Sequence, residues 1–154
     1  MTSQQISTEI QALLRSTGRS GIERVIDYIG NSDFLTAGCH THHRYTGGLA
    51  RHSLEACRYA LEHRGELSES SVIIGSLLHD LCTSHSPEAR DIHGHGRRSV
   101  GILGRVCRFH LNRDEYEAIK LHTHGDAREM DTNPLARLVW KADKMSAGHH
   151  VCLA

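Results

Sequence analysis

The chain has 154 residues, of which 38% are hydrophobic, and its 18 basic and 18 acidic side chains give a formal net charge of zero. This length suits one domain with a sizeable core, and the composition is that of a globular protein rather than a disordered one. Zero net charge argues against a protein that coats nucleic acid broadly or binds anionic membranes, because both need a cationic face.

Seven segments carry apolar residues at helical spacing, and this predicts seven helices. In chain order, their apolar residues are Ile6, Ile10, Leu13 and Leu14; Ile22, Val25, Ile26 and Ile29; Leu49, Ala56, Cys57 and Ala60; Ile73, Ile74, Leu77, Leu78 and Leu81; Val100, Leu103, Val106 and Cys107; Ala118 and Ile119; and Leu135, Leu138, Val139, Ala142 and Met145. Residues 31–47 and 82–96 show no period and are predicted to be loops.

Helix-start signals precede four of these segments. They are Thr2 with Gln5, Ser68, Asn112 with Glu115, and Asn133 followed by Pro134. The chain has only two prolines and few alternating apolar runs that would indicate strands. We therefore predict an all-α, single-domain helical bundle of about six to seven helices.

Three features bear on where the protein is found. The sequence opens without a signal-peptide pattern, and its longest mostly apolar stretch, residues 72–78, is too short to span a bilayer. The five cysteines form no C-x-x-C pair. We expect reduced thiols in a cytoplasmic protein.

The excess of histidine is the unusual feature of the composition, with 14 residues spread from His40 to His150. Imidazole titrates near neutral pH and is the commonest metal ligand in proteins. Composition therefore favours metal or proton chemistry.

Projection of the helices places four polar side chains on or beside apolar stripes: His52, Asp80, His122 and Asp143. A single inward His or Asp is more often a hydrogen-bonded core residue than a ligand. Several such residues from different helices satisfy one another most simply by sharing a divalent cation. Imidazole and carboxylate donors suit Mn, Fe, Zn, Ni or Mg.

The order of these residues carries a resemblance. His52 lies in the run GGLARHSLE, His79 and Asp80 are adjacent after two leucines, and Asp143 lies in KADKMS. Over residues 43–147 the chain resembles the HD superfamily of metal-dependent phosphohydrolases. The resemblance implies one HD-type domain over residues 1–154, with N-terminal helices in residues 1–30. The H-H-x-Y-x-G-G-L run at residues 42–49 resembles small bacterial HD proteins, including the HD domain of some exoribonucleases.

The resemblance also implies the metal ligands. His52, His79, Asp80 and Asp143 would bind one divalent ion. His95 and His122 match the additional histidines of two-metal members, in which Asp80 would bridge both ions. His93 and His124 compete with them for these positions. One or two ions are expected, drawn from Mn, Fe, Mg, Zn or Ni.

The implied activity is hydrolysis of a phosphomonoester or phosphodiester, most readily of a nucleotide or short oligonucleotide. Asp80 would be catalytic, since it holds the metal and orients the nucleophile. The candidate substrate contacts are Arg44, Arg97, Arg98, His124 and Lys144. His42, His43, His85 and His124 are candidates for protonating the leaving oxygen.

Two alternatives stay open, and one departure from the family pattern supports the first of them. Many family members carry Lys three residues after the Asp of the HD pair, whereas this chain has Thr83. A non-catalytic sensor of a metal or nucleotide is the first alternative, and a di-iron oxygenase of the HD type is the second.

The two N-terminal helices could pad the core or form a homodimer contact.

Overall fold

A computed structural model describes residues 1–39, 42–84, 94–123 and 130–148. Within them all regular secondary structure is helical, as predicted, and the helices form a compact bundle. The helices are α1 (Ser3–Ser16), α2 (Ile22–Asn31), α3 (Gly48–Glu62), α4 (Glu69–Leu77), α5 (His95–Gly101), α6 (Arg113–Leu121) and α7 (Pro134–Ser146). A 3₁₀ turn covers Leu81–Ser84, and α5 continues as a π-helix over Ile102–Val106.

The start signals predicted from sequence are all present. Thr2 and Asn112 each open a capping box, in which Gln5 and Glu115 respectively bond back to the backbone N–H of the cap. The Ser68 hydroxyl accepts from the backbone of Ser71. These bonds satisfy amide groups that a helix start leaves without a partner. The Asn133 side chain likewise accepts from the backbone of Ala136, with Pro134 at the first helical position.

The centre of the bundle is formed by α3, which packs against α4 and α7, while α6 packs against α5 and α7. Helix α4 also contacts α6 and α7, so its apolar residues are buried on all sides. Gly75 permits this packing, because a Cβ there would lie 3.1 Å from a methyl group of Val139 on α7.

The N-terminal helices α1 and α2 contribute their apolar faces to the core. Ile10, Leu14 and Val25 are completely buried, in one cluster with Leu49 of α3 and Leu77 of α4. Of the two roles left open by the sequence, the structure supports padding of the core.

The fifth predicted helix differs from expectation at Val106, which is 62% exposed although its spacing places it on the apolar stripe with the buried Leu103. The cause is the π-helix. Its wider i→i+5 turns shift later residues around the axis relative to an α-helix. Projection at 100° per residue therefore fails after Gly101.

The four described cysteines, Cys39, Cys57, Cys82 and Cys107, are free thiols. In the part of the chain that the structure describes, no helix has both the length and the hydrophobicity that a transmembrane span requires.

Candidate metal centre

Four side chains from three parts of the fold converge on one point. His52 lies on α3, Asp143 on α7, and His79 with Asp80 in the turn that follows α4. Each offers a ligand atom, and these atoms all lie within 4.8 Å of one another. All four residues are buried. Two carboxylates and two imidazoles at such separations are a suitable donor set for a divalent cation.

The distances within this group are short. The Nε2 atom of His52 lies 3.1 Å from Nε2 of His79 and 3.1 Å from Oδ1 of Asp143. Nε2 of His79 lies 3.3 Å from Oδ2 of Asp80 and 3.5 Å from Oδ1 of Asp143. Both imidazoles therefore direct the same ring nitrogen at the two carboxylates.

The opposite ring nitrogen of His79 fixes its tautomer. His79 Nδ1 donates to the carbonyl oxygen of Ser76 at 2.6 Å. Because a carbonyl can only accept, Nδ1 carries the hydrogen and Nε2 of the neutral ring has a free lone pair. His122 is oriented in the same way by the carbonyl oxygen of Ile119, also at 2.6 Å. Such outer contacts are typical of metal-binding histidines.

Ser146 has the corresponding role for His52. Its hydroxyl lies 2.9 Å from His52 Nδ1 and donates to the main-chain oxygen of His52 at 3.0 Å. The Ser146 hydroxyl has two acceptors for its one hydrogen, the main-chain oxygen of His52 and the Glu55 carboxylate, and when it donates to either of them its oxygen accepts from Nδ1. His52 therefore also presents a bare Nε2 to the centre when its ring is neutral.

Electrostatics within the centre favour ionised carboxylates. Burial is the largest influence on His79 and opposes its charge, yet the Asp80 and Asp143 carboxylates raise its pKa well above 6.5. Burial also opposes ionisation of Asp80, but His79, with bonds from His122 and His52, holds the pKa of Asp80 well below its ordinary value. The pKa of Asp143 is lowered in the same way by His52 and His79. In the absence of a metal, protonation within the pair of imidazoles offsets part of the negative charge that a divalent cation would otherwise neutralise.

The structure places the two additional histidines differently. His122, at the end of α6, is buried with its Nε2 2.9 Å from Oδ1 of Asp80. His95, the first residue of α5, is buried, and its carbonyl oxygen accepts from the Cys82 thiol. Among the described residues, both lie outside the group of four whose ligand atoms share one point.

Gly96 explains how α5 comes so close to α6. A Cβ at Gly96 would overlap with the carbonyl oxygens of Ile119 and Lys120, so the start of α5 lies directly against the end of α6. Ser99 then ties α5 to the turn after α4, because its hydroxyl donates to the His79 carbonyl and accepts from the Cys82 amide. The two helix ends that carry His95 and His122 are thereby held together.

A second histidine group covers one side of the centre. His42, His43 and His52 have ligand atoms close enough to hold a metal ion as well. The rings of His42 and His52 are 4.5 Å apart between centroids, and burial together with the charge on His52 lowers the pKa of His42 to about 4. His43 is held by Glu55, with 3.0 Å between Nε2 and Oε2.

The backbone of this loop is fixed against α3. His43 has a φ of 45°, an uncommon left-handed conformation for a residue with a side chain. Its carbonyl oxygen occupies the space that a Cβ on Gly48 would need. A glycine at the start of α3 therefore allows the loop to approach the centre.

The candidate substrate contacts are spread over several surfaces. Lys144 is nearest the centre, with its Nζ 3.7 Å from Oδ2 of Asp143. Arg44, Arg97 and Arg98 are exposed. Arg97 lies on α5, where it lines a groove that α5 forms with α6. His85, His93 and His124 lie outside the described residues, and so does the choice between His93 or His124 and the ligand candidates His95 and His122. Thr83 lies in the 3₁₀ turn, which begins at the residue after Asp80.

The sequence did not assign roles to Ser146, Glu55 or Ser99. Ser146 and Glu55 are themselves linked, with 3.3 Å between the hydroxyl and Oε2. Ser146 lies three residues after Asp143, so it faces the same side of α7, and Glu55 follows His52 on α3 at the same spacing. This spacing is the one signal by which the sequence could have indicated Ser146 and Glu55.

A comparison with protein-family models gives one finding for this chain. The family model described as the HD domain matches residues 49–148. The match covers more than half of the chain and includes His52, His79, Asp80, His95, His122 and Asp143, but not His42 and His43. Comparisons with curated proteins and with solved structures give no significant match.

Proposed function

Because the chain belongs to the HD-domain family, we propose that it is a metal-dependent phosphohydrolase with its active centre at His52, His79, Asp80 and Asp143. The observation that carries the proposal is the convergence of two imidazole Nε2 atoms and two ionised carboxylates, with each imidazole fixed through its other nitrogen. Burying two carboxylates together is costly unless their charge is balanced, and a divalent cation bound by all four groups would balance it.

The four residues fit a divalent cation by donor type, separation and tautomer. When bound, such a cation lowers the pKa of water and neutralises charge on phosphate oxygens. One carboxylate oxygen of Asp80 is directed at His79 and the other at His122, so Asp80 links the four-residue centre to His122. We propose His122, and with it His95 on the adjoining helix end, as contributors to a second ion.

Other residues act on the substrate. Lys144, beside Asp143, carries a positive charge toward which a phosphate oxygen can be oriented. His42 lies against His52, and its lowered pKa keeps the ring neutral, so it can accept a hydrogen bond from a substrate hydroxyl. Arg44, Arg98 and His124 stay candidate contacts, with a nucleotide or short oligonucleotide as the proposed substrate.

Thr83 supports the sensor as a second candidate function. In the resemblance, a Lys at this position would supply a fixed charge near the phosphate, and threonine cannot. A protein of this kind would bind metal and ligand at the same four residues without turnover.

A panel of phosphomonoesters and phosphodiesters, assayed with Mn²⁺ or Mg²⁺, separates these functions. We expect wild type to cleave at least one class of ester and Asp80→Ala to lose that cleavage while keeping its helical circular dichroism. Asp27→Ala removes an exposed carboxylate on α2 and serves as the matched control. Absence of turnover on the whole panel with metal bound would favour the sensor, whereas oxygen-dependent turnover with iron would favour the oxygenase.

A further inference from the structure

A groove separates the outer faces of α5 and α6, with a volume of about 460 Å³. One wall is a single face that runs from α5 into the π-helix, and the other is α6. The lining residues are Arg97, Val100, Gly101, Gly104 and Arg105 on the first wall and Tyr116 and Lys120 on the second.

The groove is cationic although the chain is neutral. Arg97, Arg105 and Lys120 line it, and among the described residues no carboxylate does. Within the part of the chain that the structure describes, none of these three cations makes an ion pair. By contrast Arg113, elsewhere on α6, pairs with Glu117. The three cations give the groove a positive charge, and this favours an anionic ligand.

The shape of the groove is suited to flat rings as well as to phosphates. Gly101 and Gly104 carry no side chain into the groove from its first wall, and a Cβ at either position would meet no atom within 4 Å. Tyr116 is 44% exposed, and the Lys120 ammonium lies 5.8 Å from the centre of its ring. An exposed aromatic ring among cations is the combination by which proteins bind single-stranded nucleic acid.

One end of the groove is formed by the two helix ends that carry the buried His95 and His122. Arg97 lies two residues after His95 and Lys120 two residues before His122, and Gly96 lies against the carbonyl oxygens of Ile119 and Lys120. From Arg97 to Arg105 the wall is about 12 Å long at the rise of a helix. That length accommodates roughly three stacked nucleotides of one strand.

We propose that this groove binds the nucleotides that flank the scissile phosphate of a single-stranded oligonucleotide. Phosphates contact Arg97, Arg105 and Lys120, and a base stacks on Tyr116. The inference rests on the proposed function, since it takes the substrate of the metal centre to be a nucleotide chain. It narrows that substrate from a free nucleotide to an oligonucleotide.

The test is a fluorescence-anisotropy titration of a labelled oligouridylate with the full chain in EDTA. We expect Arg105→Ala and Tyr116→Ala each to weaken binding about fivefold or more. Arg105→Ala should also lower the slope of log affinity against log salt by about 0.7. Gly104→Leu adds a side chain at a position of the groove wall where a Cβ meets no atom within 4 Å, and it should weaken binding as well. Arg113→Ala removes an exposed arginine of α6 that does not line the groove, and it should leave the affinity for the oligonucleotide unchanged.

Equal affinity in all of these variants would overturn the inference. So would binding of polyglutamate with the same sensitivity to Arg105→Ala and Tyr116→Ala, because the groove would then be a site for an acidic protein segment. Circular dichroism of each variant excludes misfolding as the cause of a lost signal. Because EDTA prevents hydrolysis, an oligonucleotide that binds here but is never cleaved when Mn²⁺ is present overturns the proposed function and leaves the groove assignment intact.

Discussion

The Nε2 atoms of His52 and His79 lie 3.1 Å apart, although the two residues come from different helical segments. Each ring is held through its Nδ1 atom, one by the Ser146 hydroxyl and the other by the Ser76 carbonyl oxygen. Two histidines placed in this way cannot both be protonated without repulsion, which is why a shared cation is the most economical partner for them.

The stability of the metal-free protein should depend on pH in a specific direction. Burial opposes the charge on His79, but Asp80 and Asp143 raise the pKa of His79 above 6.5. Its proton therefore stabilises the folded state fully below pH 6.5, and this stabilisation is lost as pH rises through the raised folded-state pKa. Urea unfolding in EDTA should show the decline, and added Mn²⁺ should remove it because the cation replaces the proton. Equal stability of the EDTA-treated protein at pH 6 and at about pH 9 would contradict this prediction.

Removing the hydroxyl that orients His52 should weaken metal binding. In Ser146→Ala the His52 Nδ1 atom loses its acceptor and the ring loses its fixed orientation. Loss of such an outer contact typically lowers metal affinity about 10- to 100-fold. Calorimetric titration with Mn²⁺ measures the change. Ser146→Thr retains a hydroxyl and should recover affinity, and Ser16→Ala, at the exposed end of α1, should have no effect. An unchanged affinity in Ser146→Ala would show that His52 needs no such support.

Two glycines of α5 should respond in opposite directions to alanine. The methyl group of Gly96→Ala would overlap with the carbonyl oxygens of Ile119 and Lys120, so α5 must move away from α6 at a cost of about 1–3 kcal/mol. The methyl group of Gly101→Ala meets open space at a helical φ of −62°, and should stabilise the protein by about 0.4–1 kcal/mol. Urea unfolding of the two variants tests this. Equal effects would mean that the contact at Gly96 is not close.

Arg19 joins the N-terminal helices to the start of α6. Its guanidinium donates to the Glu115 carboxylate, which is completely buried and also accepts from the backbone N–H of Asn112, the N-cap of α6. In Arg19→Ala the buried carboxylate loses its counterion but keeps its bonds to Ser71 and Asn112, and we expect a loss of about 2 kcal/mol in the free energy of unfolding. Arg113→Ala breaks an exposed pair with Glu117 and should change stability by less than about 0.5 kcal/mol. Similar values for the two variants would place the Glu115 carboxylate in contact with solvent.

The sequence predicted those features whose cause is local. The caps at Thr2, Ser68, Asn112 and Asn133 depend on residues within one helical turn, and all are present. The burial of His52 on α3 and of Asp143 on α7 follows from apolar periodicity, which is preserved in both helices.

Other features depend on long-range packing and could not be predicted in the same way. Helix α4 ends at Leu77, so Asp80 is buried in a turn rather than on the helix face used to predict its burial. The bond between Ser146 and His52 joins residues 94 positions apart. The π-helix after Gly101 shifts Val106 to the surface, and no residue pattern in this segment predicts a π-helix.

The central claim is that His52, His79, Asp80 and Asp143 hold a divalent metal ion. The most direct test is elemental analysis of purified wild type, Asp80→Ala and the control Asp27→Ala, each with its helical content checked by circular dichroism. We expect at least one equivalent of a divalent metal in wild type and in Asp27→Ala, and its loss in a folded Asp80→Ala. Wild type without stoichiometric metal, even after incubation with Mn²⁺, Fe²⁺, Zn²⁺, Ni²⁺ or Mg²⁺, would contradict it.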